Sequence, residues 1–122
     1  MAGDAKRGYM AQTEKERRER IRILNDKLRT QGIGGSIMIT QGIQALSPDT
    51  LAKVMPTIRQ FNNFSKDNDP YGEHDCAAIE VDGQRIFWKI DYYDKSMRGG
   101  SSDPADPKVT ERVMTVMLAE EY

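Results

Sequence analysis

The Asp82-Gly83 pair is the sequence feature that most restricts the fold of this chain. It separates two runs in which apolar and polar residues alternate, and this arrangement predicts a two-residue type I′ turn, which needs positive φ at both central positions. A hairpin over Cys76 to Tyr92 follows, with Val81 opposite Gln84. We expect one face of the hairpin to meet the core; it carries Ala77, Ile79, Val81, Ile86, Trp88 and Ile90.

The other face of the hairpin carries polar side chains. Its predicted cross-strand pairs are Glu80 with Arg85, Ala78 with Phe87, and Cys76 with Lys89. If pairing continues for two more residues, His74 lies opposite Asp91 with the Cβ atoms about 5 Å apart, and Tyr93 is next along the strand. A carboxylate can orient an imidazole for general acid or base catalysis. The candidate catalytic group is therefore His74, Asp91 and Tyr93, and the alternative is a partly exposed polar pair.

An acidic loop precedes the hairpin and offers a second interpretation of this region. Its spacing matches a calcium loop in part, but Ala78 stands where that loop needs a bidentate glutamate, so a calcium-sensor hand is excluded. The candidate ligands of a divalent cation, beside His74, are Asp67, Asp69, Glu73 and Asp75. An Asx-type turn before Pro70 explains the same residues without a metal. No other cofactor is indicated.

Three segments have the apolar period of a helix. Thr13 opens a capping box with Glu16, which predicts that the first helix begins at Thr13 and ends near Gly32. A second helix begins after the N-cap Ser47, and Pro56 should kink it or shift its boundary. By the same logic, Asp106 and Pro107 predict a third helix that runs to about Glu121.

These elements predict one α+β domain over residues 13–122, after a flexible tail of residues 1–12. A small antiparallel sheet contains the short strand Ser36 to Thr40 and the hairpin, and about three helices pack on one face. Three strands leave exposed edges, which a homodimer or an extra strand over Gln41 to Leu46 would cover. No apolar run approaches the ~20 residues of a membrane span. One Cys and no recognisable signal peptide favour the cytoplasm.

Charge is unevenly distributed along the chain. Residues 1–31 contain nine basic and five acidic residues, or +4, so the net charge of −1 leaves −5 for residues 32–122. The candidate phosphate contacts in the first helix are Arg17, Arg18, Arg20 and Arg22. Three glutamates lie among them at spacings that allow ion pairs within the helix. With a pI of about 5.8, nucleic-acid binding is not favoured.

Five runs carry a family resemblance: residues 20–26, 67–75, 87–94, 103–107 and 117–122. They resemble an uncharacterised family of small alphaproteobacterial proteins, domain of unknown function 3768, over about residues 17–122. The resemblance implies that the gene lies among the accessory genes of plasmids and prophages. It implies no biochemical activity. It suggests a mobile-element protein that binds and modulates or inhibits a host or defence protein machine, in the manner of an anti-CRISPR.

Such a binder needs anchor residues, and aromatic side chains often supply them at interfaces. The candidate partner-binding residues are Tyr71, Trp88, Tyr92 and Lys89. Two other functions stay open at this point. One is a metal-assisted hydrolase or nuclease that uses His74 and the loop 67–75, and the other is a nucleic-acid binder that uses the N-terminal helix.

Overall fold

The computed structural model describes the backbone of residues 2–122 and the side chains of residues 13–122. The predicted flexible tail covers residues 1–12, whose side chains lie outside the described residues. The helices and strands are α1 Ala2–Gln31, β1 Ser36–Ile39, α2 Gln41–Gln44, α3 Pro48–Gln60, β2 Cys76–Val81, β3 Gln84–Tyr93 and β4 Glu111–Leu118, with a 3₁₀ turn at Ala119–Glu121. Because α1 begins at Ala2, Thr13 lies inside it, and the predicted start at a capping box is wrong.

The four strands form one sheet in the order β1-β4-β3-β2. Strand β1 is parallel to β4, and the other neighbours are antiparallel, so the sheet is mixed and not antiparallel throughout as predicted. The α+β class is confirmed, and so is the hairpin register, which runs from Cys76 opposite Lys89 to Val81 opposite Gln84. Asp82 and Gly83 have φ values of 50° and 79°. The turn therefore has the positive φ that its residues predict.

The predicted third helix is wrong, because residues 111–118 form strand β4 in the middle of the sheet. A strand that is buried on both faces does not alternate apolar with polar residues, so its pattern resembles that of a buried helix. Val113, Met114, Val116 and Met117 are all buried, although successive side chains point to opposite faces. The β-branched valines fit a strand better than a helix.

The segment after β1 is the short helix α2, so the predicted extra strand over Gln41 to Leu46 is also wrong. The carboxylate of Glu121 accepts hydrogen bonds from the Thr40 hydroxyl at 2.7 Å and from the Leu118 backbone N–H at 2.8 Å. It also accepts one from the Gly42 N–H at 3.3 Å. The closing turn of the chain therefore holds the start of α2.

Helix α3 begins as predicted, because the Ser47 hydroxyl accepts a hydrogen bond from the Thr50 N–H at 3.4 Å. It continues through Pro56 to Gln60, so Pro56 does not end it. Helix α1 ends at Gln31, and the following Gly32 has φ of 71°, as predicted; the Gly32 N–H donates to the Leu28 carbonyl at 2.9 Å. Both ends follow from local sequence.

The hydrophobic core lies between the helices and one face of the sheet, which we call the helix face. Its fully buried members include Leu28 from α1, Ile58 from α3 and Trp88 from β3. The chain enters β1 through Gly35, where a Cβ would overlap the carbonyl oxygen of Arg112. This close approach explains why a glycine precedes the parallel pairing of β1 with β4.

Candidate functional site

His74 does not pair with Asp91. Strand β2 begins at Cys76, and His74 has φ of 54°, which turns its side chain towards the helices. Its Nδ1 lies 2.9 Å from Oδ1 of Asp26 on α1, and its Nε2 lies 3.7 Å from Oδ2 of Asp69. The ring stacks on Phe64 with the centroids 3.7 Å apart. The predicted pairing is therefore wrong, because His74 itself has a left-handed backbone and strand β2 begins only at Cys76.

Both ring nitrogens of His74 face carboxylates, and this restricts what the imidazole can do. A general base needs a nitrogen within hydrogen-bond reach of the proton that it removes. Asp26 also contacts Arg29 at 3.0 Å, and Arg29 donates to the carbonyls of Ile58 and Phe61 at the end of α3. His74 thus joins the loop 67–75 to α1 and α3. These contacts favour a structural role.

The candidate catalytic partners of His74 lie on the face of the sheet away from the helices. Asp91 forms an ion pair with Lys89 at 2.8 Å, and the hydrogen bond to the carboxylate raises the pKa of the lysine. Tyr93 is further along β3, paired with Glu111 and bridged to Gly100 through the backbone. The three residues of the predicted catalytic group therefore do not meet.

The acidic loop spreads its carboxylates in different directions. Asp69 is buried and accepts hydrogen bonds from the N–H groups of Glu73 and His74 at 3.1 and 3.2 Å, so it shapes the loop itself. Asp67 is exposed, and Glu73 accepts a hydrogen bond from the Tyr92 hydroxyl. Among the side chains described, from residue 13 onward, no three His, Cys, Asp or Glu residues converge as a metal site would require.

A buried polar network lies beneath α1, and sequence reasoning missed it. Asn25 is fully buried and donates to the Tyr92 hydroxyl at 2.8 Å and to the Glu73 carbonyl at 3.0 Å. Its Oδ1 accepts from Nε of Arg112 at 2.7 Å, and Arg112 also donates to the Pro104 carbonyl. Burial raises the pKa of Tyr92 and lowers that of Arg112. The available signal was the position of Asn25 between the apolar residues Ile21 and Leu28 on one side of α1, since a buried amide needs partners.

The four predicted partner-binding residues are separated. Trp88 is fully buried and Tyr92 is held by the Asn25 network, so neither can anchor a partner. Tyr71 is 65% exposed and lies beside α1, where Arg18 stacks over its ring at 5.6 Å. Lys89 lies on the opposite side of the sheet. The predicted corner is therefore not one continuous surface.

Three of the described arginines of α1, which are Arg17, Arg18 and Arg29, have acidic or aromatic neighbours. Arg17 contacts Glu14 at 3.2 Å and Asp103 at 3.1 Å, and the hydrogen bond to Asp103 raises its pKa. Arg20 is exposed and Arg22 is half-buried. The contact with Asp103 joins the basic helix to the acidic part of the same chain.

The second face of the sheet, opposite the helix face, is a further candidate surface. We call it the open face, because none of its residues belongs to the main core cluster, although Val113 and Met117 of β4 are buried on it. The β2–β3 register places Ala78 beside Phe87 there, and β4 adds Met117 on the other side of Phe87. The Phe87 ring also meets Tyr122 edge to face, with the centroids 5.7 Å apart. Aromatic and apolar side chains thus form the centre of the open face.

A cavity of about 510 Å³ lies on the open face. The residues that line it include Asp75, the Lys89–Asp91 pair, Ala78 and Phe87. Burial raises the pKa of Asp75, and the charges of Glu73, Asp69 and Asp91 add to this effect. Carboxyls with raised pKa values are common beside functional clefts. Arg85 also lines the cavity, and its guanidinium stacks over the Phe87 ring at 5.8 Å.

Comparison with known proteins identifies a family and no activity. None of the described helices is long and apolar enough to cross a membrane. No curated protein and no solved structure matches the chain significantly. A family described as "Protein of unknown function (DUF3768)" matches residues 39–121, from the end of β1 to the closing turn. This match covers more than half of the chain and all of α3, β2, β3 and β4, so the chain belongs to the DUF3768 family.

Proposed function

We propose that this protein is a binding module that recognises another protein through the open face of its sheet. One observation carries the proposal: the open face combines a 510 Å³ cavity with exposed or half-exposed aromatic side chains outside the core. Tyr122 is 81% exposed and Phe87 is half-buried. Aromatic anchors beside a pocket are typical of protein interfaces.

The charges of the open face define the chemistry of the partner. Among the described residues, Arg85 forms no ion pair with a carboxylate, whereas Lys89 is neutralised by Asp91. A partner that inserts an apolar side chain next to Ala78 and Phe87 can therefore place an acidic group against Arg85. We expect an apolar anchor with a neighbouring carboxylate.

We further propose that the partner is a larger protein machine of a host or its defence system, which this protein modulates or inhibits. This part of the proposal is supported by the location among plasmid and prophage genes that the family resemblance implies. A small domain with a preformed binding face can block a larger complex by occupying one of its functional surfaces. The proposal needs neither a cofactor nor catalysis by His74, whose nitrogens both face carboxylates.

Affinity capture with matched variants tests the proposed surface. The unmodified chain is immobilised and exposed to a lysate of its natural host, and retained proteins are identified by mass spectrometry. The open-face variant combines Arg85→Glu with Tyr122→Ala, which changes two exposed residues. The matched control combines Arg18→Glu with Tyr71→Ala on the α1 side. Both variants replace one arginine and one exposed tyrosine.

We expect the retained protein to bind the unmodified chain and the α1-side control, and to bind the open-face variant at least about tenfold more weakly. Purified partner and titration calorimetry then give the affinities directly. Equal binding by all three proteins, or loss only in the α1-side control, would contradict the open-face proposal. Inhibition is tested separately, by adding the chain to the purified partner machine and measuring its activity.

A further inference from the structure

The outer edge of strand β2 is the longest unpaired strand edge in the described part of the chain. β2 is the last strand of the sheet and has six residues, whereas the other edge strand, β1, has four. Its pairing with β3 is continuous, without a bulge, and its sequence CAAIEV contains neither proline nor lysine. Bulges, prolines and lysines protect exposed strand edges from pairing with other chains, and β2 has none of the three.

The hairpin geometry determines which backbone groups point outward from β2. The Ile90 N–H donates to the Asp75 carbonyl at 2.7 Å, and Val81 closes the two-residue turn with Gln84. Alternate residues of an antiparallel strand bond to the same neighbour, so the odd-numbered residues of β2 bond to β3. The N–H and C=O groups of Cys76, Ala78 and Glu80 therefore point away from the sheet, and all three residues are exposed.

We propose that two copies of this chain pair through this edge, with their β2 strands antiparallel about a two-fold axis at Ala78. The register follows from the outward groups. An axis at Ala78 pairs Cys76 with Glu80 and Ala78 with Ala78, so all three outward residues of each copy form hydrogen bonds. Moving the axis to residue 77 or 79 would require His74 or Asp82 in the ladder, and both have left-handed backbones. Two four-stranded sheets thereby become one sheet of eight strands.

The side chains across this junction are complementary. On the open face, Ala78 of each copy meets Ala78 of the other, flanked by Phe87 on both sides. Glu80, which forms no ion pair within the described part of its own chain, lies opposite Cys76 of the second copy. Within the second copy, Cys76 pairs with Lys89, so only the small Cys76 side chain separates Glu80 from that lysine. No like charges face each other directly, and the arrangement does not depend on the proposed function.

Disulfide trapping tests the pairing and its register. Paired Cα atoms at the axis lie about 5.5 Å apart, within the range of about 4.4 to 6.8 Å that a disulfide spans. Ala78→Cys in a Cys76→Ser background should form a covalent dimer in a glutathione redox buffer. Glu80→Cys in the same background should not, because its sulfurs are about 13 Å apart along the strands. Glu80→Cys with Cys76 retained should crosslink again.

Dimers are detected by non-reducing electrophoresis, after circular dichroism shows that each variant is folded. Sedimentation of the chain without added cysteines should show a mass that rises with protein concentration, and Ala78→Lys should abolish this rise by placing two positive charges at the axis. Equal crosslinking of the Ala78→Cys and Glu80→Cys variants in the Cys76→Ser background would mean random collision and would overturn the proposal. A monomer at every concentration without crosslinking of the Ala78→Cys variant would overturn it as well.

Discussion

Asn25 lies fully buried on α1, where the neighbouring turns of the helix contribute apolar side chains to the core. Its amide binds Tyr92 and the Glu73 carbonyl, and its oxygen accepts from Arg112, whose side chain is only 1% exposed. Removing one member of a buried polar network leaves the others desolvated and without partners. At the scale of single residues, this amide permits the burial of a charged guanidinium.

We therefore expect Asn25→Leu to lower the free energy of unfolding by about 2 to 4 kcal/mol. Urea denaturation followed by circular dichroism measures the loss. The matched control is Ile23→Ala on the exposed side of the same helix, where Ile23 is 59% exposed, and its effect should stay within about 0.5 kcal/mol. A loss below about 1 kcal/mol for Asn25→Leu would show that Arg112 is compensated by other groups.

Asp75 is a residue whose charge opposes folding at neutral pH. Burial raises the pKa of its carboxyl above the value in the unfolded chain, and three neighbouring carboxylates act in the same direction. A raised pKa means that the folded state binds the proton more tightly, so this contribution to stability is present at low pH and disappears as the pH rises through the folded pKa.

Asp75→Asn should accordingly raise the thermal unfolding midpoint at pH 7 and leave it nearly unchanged at about pH 3, where the carboxyl is protonated in both states. Scanning calorimetry at the two pH values measures both effects. Asp67→Asn, in the exposed part of the same loop, should change neither midpoint appreciably. If Asp75→Asn lowered the midpoint at pH 7, the carboxylate would be stabilising, contrary to this account.

At the scale of elements, α3 contains two prolines in different positions. Pro48 occupies the first helical position, where its missing N–H costs nothing. Pro56 lies in the interior, where it removes the hydrogen bond to the Ala52 carbonyl. The helix nevertheless continues to Gln60, because Val54 and Ile58 pack fully into the core on either side of Pro56. Tertiary packing outweighs the local cost.

Pro56→Ala should therefore raise the free energy of unfolding by about 1 to 2 kcal/mol, since alanine restores the hydrogen bond and the unfolded chain regains some freedom. Chemical denaturation measures the gain. Pro48→Ala is the matched control, and we expect it to be neutral or slightly destabilising. The prediction fails if the two substitutions have the same effect, because helix position would then not determine the cost of proline.

At the scale of the whole molecule, the basic first segment and the acidic remainder belong to one charge system. Arg17 contacts Asp103, and Arg29 contacts Asp26 and the last carbonyls of α3. These contacts neutralise positive charge within the protein. Three glutamates lie near the other arginines of α1 in the sequence, which are Glu14, Glu16 and Glu19. From residue 13 onward, the surface of α1 therefore lacks the uniform positive charge of a nucleic-acid interface.

We expect no saturable binding of a fluorescent 20-base-pair DNA duplex at physiological salt. Anisotropy titrations of the unmodified chain and of a variant with Arg18→Ala, Arg20→Ala and Arg22→Ala should agree, because we expect neither protein to bind phosphates through α1. Affinity that falls steeply as salt is raised, with a smaller salt dependence in the variant, would contradict this prediction and favour the nucleic-acid alternative.

Local sequence alone determined the hairpin and the helix ends. Asp82 and Gly83 set the turn, the turn set the register, and Ser47 and Gly32 set two helix boundaries through hydrogen bonds to residues nearby in the chain. The family resemblance was also correct over residues 39–121. The predictions of the turn, its register and the two helix ends depend on groups within a few residues of one another.

The tertiary structure decided the identity of β4 and the surroundings of His74. Residues 111–118 have an apolar pattern that fits a helix or a buried strand, and only their pairing with β1 and β3 selects the strand. His74 meets Asp26, which is 48 residues away in sequence, because a positive φ turns it out of the strand path. The open face likewise exists only because the helices pack on one side of the sheet. Alternation and spacing encode neighbours along the chain, whereas burial on both faces and contacts across the fold depend on which elements pack together.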